Sequence, residues 1–275
     1  MQFGLLGEKL GYSLSPQIHQ HLFELLQIKN TYDLLEIKHV DLSNCAQLLK
    51  EQYNGINVTI PYKLEIMQFL DVISPEAEKI GAVNTIHFEK NRVTGYNTDY
   101  FGFGRSLLYR NISISGKKTV VLGTGGASRA VIQYLRDHNA ESITVVSRCP
   151  RQCDTNKNIN EFLQGNNVEL INYQELSRRD GGYLLVNCTP VGMDLYKENS
   201  PVTAEVAGNY EVLVDLIYNP AETLFLKYGR QQNRIVENGL YMLVAQAVAA
   251  EEIWLGRTIS EQVITMIAKK MGATI

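Results

Sequence analysis

Polar side chains that can carry out acid–base chemistry stand at the ends of predicted strands in the N-terminal half of the chain. The stretch Asn57-Val-Thr-Ile-Pro-Tyr-Lys63 ends a strand at its proline and places a lysine at the carboxyl edge, where open α/β sheets bind ligands. Asn84 lies at another strand edge, and Asp99 lies at the start of a predicted helix. A lysine there can give a proton and a positive charge to an oxygen that becomes negative. The structural alternatives are a solvated lysine and a helix N-cap at Asp99.

Two serines near the N-terminus form a second polar group. Ser13 and Ser15 lie just before Pro16, a residue that suits the first turn of a helix. Hydroxyls beside a helix N-terminus suit a carboxylate ligand, because each hydrogen bond to a charged group contributes about 1.5–3 kcal/mol. The same hydroxyls can instead cap the helix, so both interpretations stay open.

A glycine-rich stretch in the middle of the chain predicts an anion site. In Thr119-Val-Val-Leu-Gly-Thr-Gly-Gly-Ala-Ser-Arg-Ala130 an aliphatic strand leads into glycines and then into a helical apolar pattern. Glycines let backbone N–H groups approach a phosphate closely, and a helix N-terminus favours negative charge. Ser128 stands where the pattern G-x-G-x-x-G has its third glycine, so a turn that binds nothing is an alternative.

Length and composition favour a soluble α/β protein of two domains. The 275 residues are 45% hydrophobic and include 21 glycines, and the formal net charge is −3. Because no basic stripe is present, we expect no nucleic-acid partner. The first residues have no basic segment before an apolar run, and acidic residues interrupt the apolar segment 240–255, so we expect neither a secretory signal nor a membrane partner. The four cysteines lack metal-site or disulfide spacing, which predicts no metal and a cytoplasmic location.

The hydrophobic pattern alternates strands and helices along the chain. The first part has predicted strands at 2–7, 31–37 and 55–60, a hairpin over 83–95, helices at 16–26, 42–52 and 99–109, and helical turns between 63 and 80. The second part has predicted strands at 119–122, 142–147, 168–172, 184–188, 212–216 and 234–237. Their near-continuous apolar runs indicate a parallel sheet covered on both faces. Two helices between 240 and 271, broken near Gly256, can return to the first domain.

Eight motifs resemble, in order, those of the shikimate dehydrogenase family over residues 7–256. They are Ser-Leu-Ser-Pro16, Asn-Val-Thr-Ile-Pro-Tyr-Lys63, Ala-Val-Asn-Thr85, Tyr-Asn-Thr-Asp99, Gly-Thr-Gly-Gly-Ala-Ser-Arg-Ala130, Asn-Cys-Thr-Pro-Val-Gly-Met193, Asp-Leu-Ile-Tyr218 and Asn-Gly-Leu-Tyr-Met-Leu-Val-Ala-Gln246. The resemblance implies a mixed-sheet α/β substrate domain at 1–115 and a Rossmann-like, doubly wound parallel-sheet domain for NADP at 116–239. Residues 240–275 are then helices that pack back on the substrate domain.

The resemblance also assigns roles to individual residues. The catalytic pair is matched by Lys63 and Asp99. The positions that hold the substrate carboxylate are matched by Ser13, Ser15 and Tyr218, and those that contact the ring hydroxyls by Thr59, Asn84 and Gln246. The pyrophosphate turn is matched by Gly123, Thr124, Gly125, Gly126 and Ala127. The nicotinamide side is matched by Thr189, Leu216, Gly239 and Met242, for which buried core positions are the structural alternative.

The end of the second strand of the cofactor domain indicates NADP. An NAD enzyme usually places an acidic residue there, about 20 residues past the glycines, to hold the ribose 2′-hydroxyl. This chain has Ser147-Arg148-Cys-Pro-Arg151, which offers two guanidinium groups to a 2′-phosphate and no carboxylate to repel it. The family pattern is Asn-Arg-Thr followed by a later basic residue. Arg148 is therefore the stronger candidate for the contact with the 2′-phosphate. Arg151 fits a solvated loop position as well as it fits a phosphate contact.

The activity that the resemblance implies is reversible hydride transfer between NADPH and 3-dehydroshikimate, which gives shikimate in aromatic amino acid and chorismate biosynthesis. The alternatives are a quinate/shikimate dehydrogenase with broader substrate or NAD use, and a non-catalytic homologue that senses a ligand. An acidic residue near 147 would favour the quinate/shikimate dehydrogenase, and the chain has none there. Loss of Lys63 or Asp99 would favour the non-catalytic homologue, and both residues are present. The sequence is compatible with a monomer or a homodimer.

Overall fold

The computed structural model describes residues 1–11, 13–42, 49–90, 92–150, 161–163, 168–193 and 196–273. The chain divides into two compact units. The first unit comprises Met1–Gly102 and Val244–Met271, and the second comprises Phe103–Leu243 and Gly272–Ile275. All three points of division fall inside helices, whereas the resemblance implied boundaries at 115/116 and 239/240.

The described secondary structure alternates strands and helices in both units. The strands are β1 (Gln2–Gly7), β2 (Thr31–Glu36), β3 (Gly55–Val58), β4 (Val72–Ile73), β5 (Thr85–Glu89), β6 (Arg92–Tyr96), β7 (Lys118–Leu122), β8 (Ser142–Val146), β9 (Val168–Ile171), β10 (Gly182–Asn187), β11 (Tyr210–Asp215) and β12 (Ile235–Glu237). The helices are α1 (Ser15–Leu26), α2 (Pro75–Ile80), α3 (Thr98–Tyr109), α4 (Gly126–Asp137), α5 (Tyr173–Leu176), α6 (Ala204–Gly208), α7 (Leu224–Gln231), α8 (Leu240–Leu255) and α9 (Glu261–Gly272). Short 3-10 helices span His39–Asp41 and Glu65–Phe69.

The sheet of the first unit is mixed, as predicted, with the order β2-β1-β3-β5-β6-β4. Strand β1 runs parallel to β2 and β3, whereas β5 is antiparallel to both β3 and β6. The carboxyl ends of β1, β3 and β6 therefore share one edge with the start of β5. This edge receives Ser13 and Ser15 after β1, Lys63 after β3, Asn84 before β5 and Asp99 after β6.

Helix α1 shows how the first unit forms its core. Pro16 lies in the first turn, where its missing N–H costs no hydrogen bond. Leu25 is 42% exposed, although it lies three residues after the buried Leu22. The buried face of the helix instead contains Ile18, Leu22 and Phe23. Phe23 packs in a cluster with residues of α8, which belongs for most of its length to the same unit.

The sheet of the second unit is fully parallel, as predicted, with the order β12-β11-β10-β7-β8-β9. This is the order 3-2-1-4-5-6 of the doubly wound dinucleotide-binding fold. The order reverses between β7 and β10, and ligands of such sheets bind outside the carboxyl ends of the strands at that point. The glycine turn after β7 and the segment after β10 that contains Thr189 meet there.

The structure differs from the sequence predictions in short elements. Strand β4 and the helices α5 and α6 were not predicted, because runs of two to five residues show no hydrophobic period. The helix predicted at 42–52 lies partly in 43–48, outside the described residues. No helix in the described part of the chain is long and apolar enough to cross a membrane.

Candidate active site

A lysine and a carboxylate meet at the shared edge of the first sheet. Lys63 Nζ lies 2.6 Å from Asp99 Oδ2, and the two side chains are only 17% and 14% exposed. Asp99 lies within the first turn of α3, where its negative charge also interacts favourably with the helix dipole. The carboxylate thus forms an ion pair with Lys63. The two groups stand where a proton can be given to or taken from a ligand at the sheet edge.

Backbone contacts on both sides of the lysine fix its position. The carbonyl oxygen of Lys63 accepts a hydrogen bond from the N–H of Val83 at 2.7 Å. The preceding residue, Tyr62, is fully buried and donates its hydroxyl proton to the carbonyl of Ile37. The chain around Lys63 is therefore anchored on two sides, which leaves the ammonium at the sheet edge.

The amide of Asn84 has a single consistent orientation. Its Oδ1 accepts hydrogen bonds from the backbone N–H of Thr98 at 2.7 Å, from the Thr98 hydroxyl at 3.1 Å and from the Thr85 hydroxyl at 3.1 Å. A backbone N–H can only donate, so this oxygen assignment is fixed. Asn84 therefore keeps its two N–H donors for other partners, which suits an acceptor such as a substrate hydroxyl.

A buried polar network continues from Thr85 towards helix α1. Asn57 Nδ2 donates to the Thr85 hydroxyl at 2.9 Å, and Asn57 Oδ1 accepts from the Tyr32 hydroxyl at 2.7 Å. Tyr32 also hydrogen-bonds to Ser15. Burial raises the pKa of the Tyr32 phenol well above its usual value, the Glu251 carboxylate raises it further, and the Ser15 hydrogen bond lowers it. The network therefore joins Ser15 to the residues around Asn84.

The remaining predicted substrate residues of the first unit are partly accessible. Ser13 Oγ accepts a hydrogen bond from the N–H of Ser15 at 3.2 Å, and the N-cap residue of α1 makes no side-chain capping hydrogen bond. Gln246 Oε1 lies 3.4 Å from the Thr98 hydroxyl oxygen. Thr59 is half-buried, and its N–H donates to the carbonyl of Leu6. Tyr218, which the resemblance matched to the same ligand, belongs to the second unit.

The glycine turn of the second unit has the geometry of an anion cradle. Gly123 has a φ of +101°, and a Cβ there would approach Thr189 Cγ2 to 3.0 Å. Gly125 is the N-cap of α4, and a Cβ at Gly125 or Gly126 would meet nothing within 4 Å. The backbone of these two glycines is exposed at a helix N-terminus, so a phosphate can approach their N–H groups.

Ser128 explains why the third glycine of the pattern is dispensable here. Its side chain is 0% exposed, and its hydroxyl donates to the carbonyl of Gly125 at 2.6 Å. The third glycine of such turns normally allows close packing of helix and strand. A small side chain with a satisfied hydroxyl fills that position without leaving an unpaired polar atom.

A cavity of about 630 Å³ opens above this turn. Six predicted cofactor residues line it, namely Gly123, Thr124, Gly125, Ser147, Arg148 and Thr189. The other lining residues were not predicted as cofactor contacts; they are Val146, Tyr173, Cys188, Pro190, Val191, Tyr196, Ser200 and Pro201. Tyr173 gave no sequence signal, since only the order β7-β8-β9 brings the end of β9 beside Arg148.

Arg148 places an exposed positive charge beside the candidate cofactor cavity. Arg148 is exposed and lines the 630 Å³ cavity together with a neighbouring cavity of about 790 Å³, which it shares with Tyr173 and Glu175. Burial raises the pKa of Tyr173, and the Arg148 guanidinium lowers it. Glu175 uses its carboxylate in a capping box with Asn172. Arg151 lies outside the described residues.

The residues matched to the nicotinamide side follow neighbouring strands of the same sheet. Leu216 follows β11, and its N–H donates to the carbonyl of Asn187 at 3.0 Å. Gly239 follows β12, and a Cβ there would lie 2.0 Å from the carbonyl oxygen of Leu216, so a side chain is excluded. Met242 is 8% exposed. Gly126, Ala127 and these three residues do not line the 630 Å³ cavity.

A buried polar cluster holds the loops after β10 and β11. Asn187 Oδ1 accepts from both the N–H and the hydroxyl of Thr189, and Asn187 Nδ2 donates to Asp215 Oδ1 at 3.0 Å. Asp215 also accepts from the N–H of Ile217 and from the Thr223 hydroxyl. Burial raises the pKa of Asp215 to about 7, although these hydrogen bonds lower it. Thr189 is thus positioned by side-chain contacts beneath the cavity.

Comparison with known families matches both ends of the chain. The family described as "Shikimate dehydrogenase substrate binding domain" matches residues 5–86. The family described as "Shikimate 5'-dehydrogenase C-terminal domain" matches residues 239–269. The first match contains Lys63 and the second contains Gln246.

Individual relatives match almost the whole chain. A protein named "Shikimate dehydrogenase (NADP(+))" from Clostridium beijerinckii is 46% identical over 92% of this chain and 91% of its own length. The crystal structure of a chorismate mutase/shikimate 5-dehydrogenase fusion protein from Clostridium acetobutylicum has a TM-score of 0.94 and 45% identity, and the match covers 100% of this chain and 98% of that chain. A Thermus thermophilus shikimate 5-dehydrogenase in complex with NADP(H) and shikimate has a TM-score of 0.86 and 31% identity. That match covers 98% of this chain and 99% of the Thermus chain.

Proposed function

Because this chain belongs to the shikimate dehydrogenase family, we propose that it interconverts 3-dehydroshikimate and shikimate with NADP as the hydride carrier. The observation that carries the proposal is the ion pair of Lys63 and Asp99 beside the fixed amide of Asn84. The Clostridium relative carries NADP in its name, and the Thermus structure is described with both ligands. We further propose that the protein is cytoplasmic and is a monomer or a homodimer.

In the proposed substrate site, charged and polar groups bind different parts of one small molecule. Ser13 and Ser15, beside the start of α1, bind the carboxylate together with Tyr218. Thr59, Asn84 and Gln246 bind ring hydroxyls. The orientation of Asn84 supports this assignment, because its oxygen is already occupied and its N–H groups are left to donate. The protein therefore already holds the Asn84 amide in the orientation that the proposed substrate contact requires.

The proposed acid–base step uses Lys63. In the direction of ketone reduction, the Lys63 ammonium donates a proton to the oxygen on which negative charge develops. In the direction of alcohol oxidation, the neutral amine accepts the hydroxyl proton. Asp99 holds the Lys63 side chain in place and balances its charge when it is protonated.

The proposed cofactor site is the glycine turn with its cavity. The nicotinamide supplies or accepts the hydride when it is bound. Gly125 and Gly126 present backbone N–H groups to the pyrophosphate, and Ala127 continues the turn into α4. The N–H of Gly123 already donates to the carbonyl of Val146 at 2.8 Å, so Gly123 contributes the left-handed backbone conformation of the turn instead. Arg148 binds the 2′-phosphate, with Ser147 and Arg151 beside it in sequence. Thr189, Leu216, Gly239 and Met242, which follow neighbouring strands or begin α8, form the nicotinamide side.

A spectrophotometric assay of the reduced nicotinamide tests the proposal directly. Purified protein is mixed with shikimate or quinate and with NADP or NAD, which gives four pairs. We expect the fastest turnover with shikimate and NADP. Comparable rates with quinate or NAD would favour the broader quinate/shikimate dehydrogenase. No turnover of any pair by a folded protein would refute the proposal.

A further inference from the structure

A contact between a histidine and a glutamate lies in the first unit apart from Lys63 and Asp99, and both side chains are completely buried. His19 Nδ1 and Glu251 Oε1 are 2.7 Å apart, and both side chains are 0% exposed. Among the described residues, neither His19 Nε2 nor Glu251 Oε2 has a hydrogen-bond partner. Ionisable groups are costly to remove from water, and a buried pair with unsatisfied atoms contributes little net stability. Stability alone therefore does not explain why the chain has this pair.

The location of the pair suggests what it does. His19 lies four residues after Ser15 in α1, so the two side chains project from the same face of the helix. Glu251 lies five residues after Gln246 in α8. In the proposed site Ser15 binds the substrate carboxylate and Gln246 binds a ring hydroxyl. The contact between His19 and Glu251 thus ties together the two helices that hold different parts of the same ligand.

Tyr32 connects the pair to the rest of the site. Its ring stacks on His19, with ring centroids 3.9 Å apart and an interplanar angle of 12°. Its hydroxyl donates to Asn57 Oδ1 at 2.7 Å and also hydrogen-bonds to Ser15. A shift of the His19 ring would therefore move the Tyr32 ring and disturb both of these hydrogen bonds.

We propose that His19 and Glu251 are positioning residues for shikimate: their contact fixes Ser15 and Gln246 at the separation that the substrate requires. The inference rests on the proposed function and adds no new contact with the ligand. It predicts that breaking the pair weakens shikimate binding while the chemical step and NADP binding persist.

The decisive variant replaces the pair by apolar side chains of similar size, as His19→Phe with Glu251→Met. Removing a costly buried pair leaves the melting temperature equal to or above that of the wild type. The KM for shikimate is expected to rise at least about tenfold, with kcat changed less than about threefold and the KM for NADP unchanged. Calorimetric titration with shikimate should show the same loss of affinity.

Three further variants distinguish a positioning role from an effect on folding stability and from an effect of the side-chain charge. Leu22→Ala removes a fully buried side chain of the same helix, so it should lower the melting temperature and leave the shikimate KM unchanged. Glu251→Gln keeps the length and an acceptor oxygen, so its shikimate KM should stay close to the wild-type value. Glu251→Asp keeps the charge but shortens the side chain, so its shikimate KM should rise.

The outcomes distinguish this inference from the proposed function. A folded double variant with a wild-type shikimate KM would overturn the inference. If the double variant does not fold, a wild-type KM for Glu251→Asp would overturn it in the same way. A wild-type protein that does not turn over shikimate with NADP would instead refute the proposed function, whatever the variants do.

Discussion

The two candidate sites use different chemical groups, mainly side chains in the first unit and mainly backbone in the second. In the first unit, side chains fix one another: Lys63 pairs with Asp99, and three hydrogen bonds converge on the oxygen of Asn84. In the second unit the glycine turn offers its backbone, and Arg148 supplies positive charge. A small polar acid requires directed side-chain contacts, whereas a pyrophosphate is held well by N–H groups at a helix N-terminus.

This difference predicts which substitutions damage each site. A site built from side chains loses function when a polar atom is removed or moved. A site built from backbone loses function when an atom is added, even if the fold tolerates the addition. The following predictions test this contrast in each unit.

The largest effect is expected for Lys63→Ala, which removes the proposed proton donor. We expect kcat to fall by about 10²–10⁴-fold with little change in the KM for shikimate, because the binding residues remain. Steady-state kinetics at saturating NADP measure both constants. Lys90→Ala, at an exposed position of the same unit, is the control and should match the wild type. A large rise in KM with kcat intact would make Lys63 a binding residue instead.

Asp215→Asn tests a buried carboxyl group near the candidate site of the second unit. Burial raises the pKa of Asp215 from 3.8 to about 7, so the folded state binds the proton more tightly than the unfolded state. The stability from this protonated group is fully present below pH 3.8 and is lost as pH rises through about 7.

The measurement for Asp215 is the free energy of unfolding by denaturant between pH 4 and pH 7. Relative to Asp215→Asn, the wild type should lose up to about 4 kcal/mol over this range, at about 1.4 kcal/mol per pKa unit. Glu237, whose pKa burial also raises to about 7, titrates in both proteins and cancels in the difference. A pH-independent difference would show that Asp215 is ionised throughout. Glu211→Gln, at an exposed position, is the control.

Arg148→Ala tests the charge of the cofactor site. Loss of charge-assisted hydrogen bonds should weaken NADP binding by about 1.5–3 kcal/mol, which is about ten- to a hundredfold. NAD lacks the 2′-phosphate, so its affinity should not change. Calorimetric titration with each dinucleotide gives the comparison. Equal losses for both dinucleotides would place Arg148 away from the 2′-phosphate.

Gly125→Ala tests the backbone of the cofactor site with the smallest change. A Cβ at this position meets no protein atom within 4 Å, so the melting temperature should not change. The added methyl group stands where a phosphate approaches, and NADP affinity should fall about tenfold, or about 1.4 kcal/mol.

Gly116→Ala is the matched control for that substitution. Gly116 has a φ of +67° and also has nothing within 4 Å of a built Cβ. The strained backbone should lower stability by about 1 kcal/mol. Its NADP affinity should remain that of the wild type. If the control lost affinity and Gly125→Ala did not, the glycine turn would not be the pyrophosphate site.

Sequence reasoning succeeded where a local pattern marks the position. The glycine run before α4 and the proline before Lys63 each interrupt an apolar strand, so both strand ends were predicted within two residues of those observed. The parallel sheet of the second unit was predicted from its continuous apolar strands. These signals depend only on neighbours along the chain.

Features that depend on distant parts of the chain were missed. Tyr32 and Tyr173 reach the candidate sites only because strand order places β2 beside β1 and β9 beside β8. The buried face of α1 includes Phe23 and excludes Leu25, because the packing partners of the helix select the face. The partnership of His19 with Glu251 joins residues 232 positions apart, and no local pattern encodes it.

The central claim is that Lys63, held in place by Asp99, acts directly on the reacting oxygen of the substrate. A crystal structure of the protein with shikimate and NADP measures this most directly. The account predicts that Lys63 Nζ lies within hydrogen-bond distance, about 2.6–3.2 Å, of the shikimate hydroxyl that becomes the ketone. A shikimate whose reacting hydroxyl contacts neither Lys63 nor Asp99 would contradict the account.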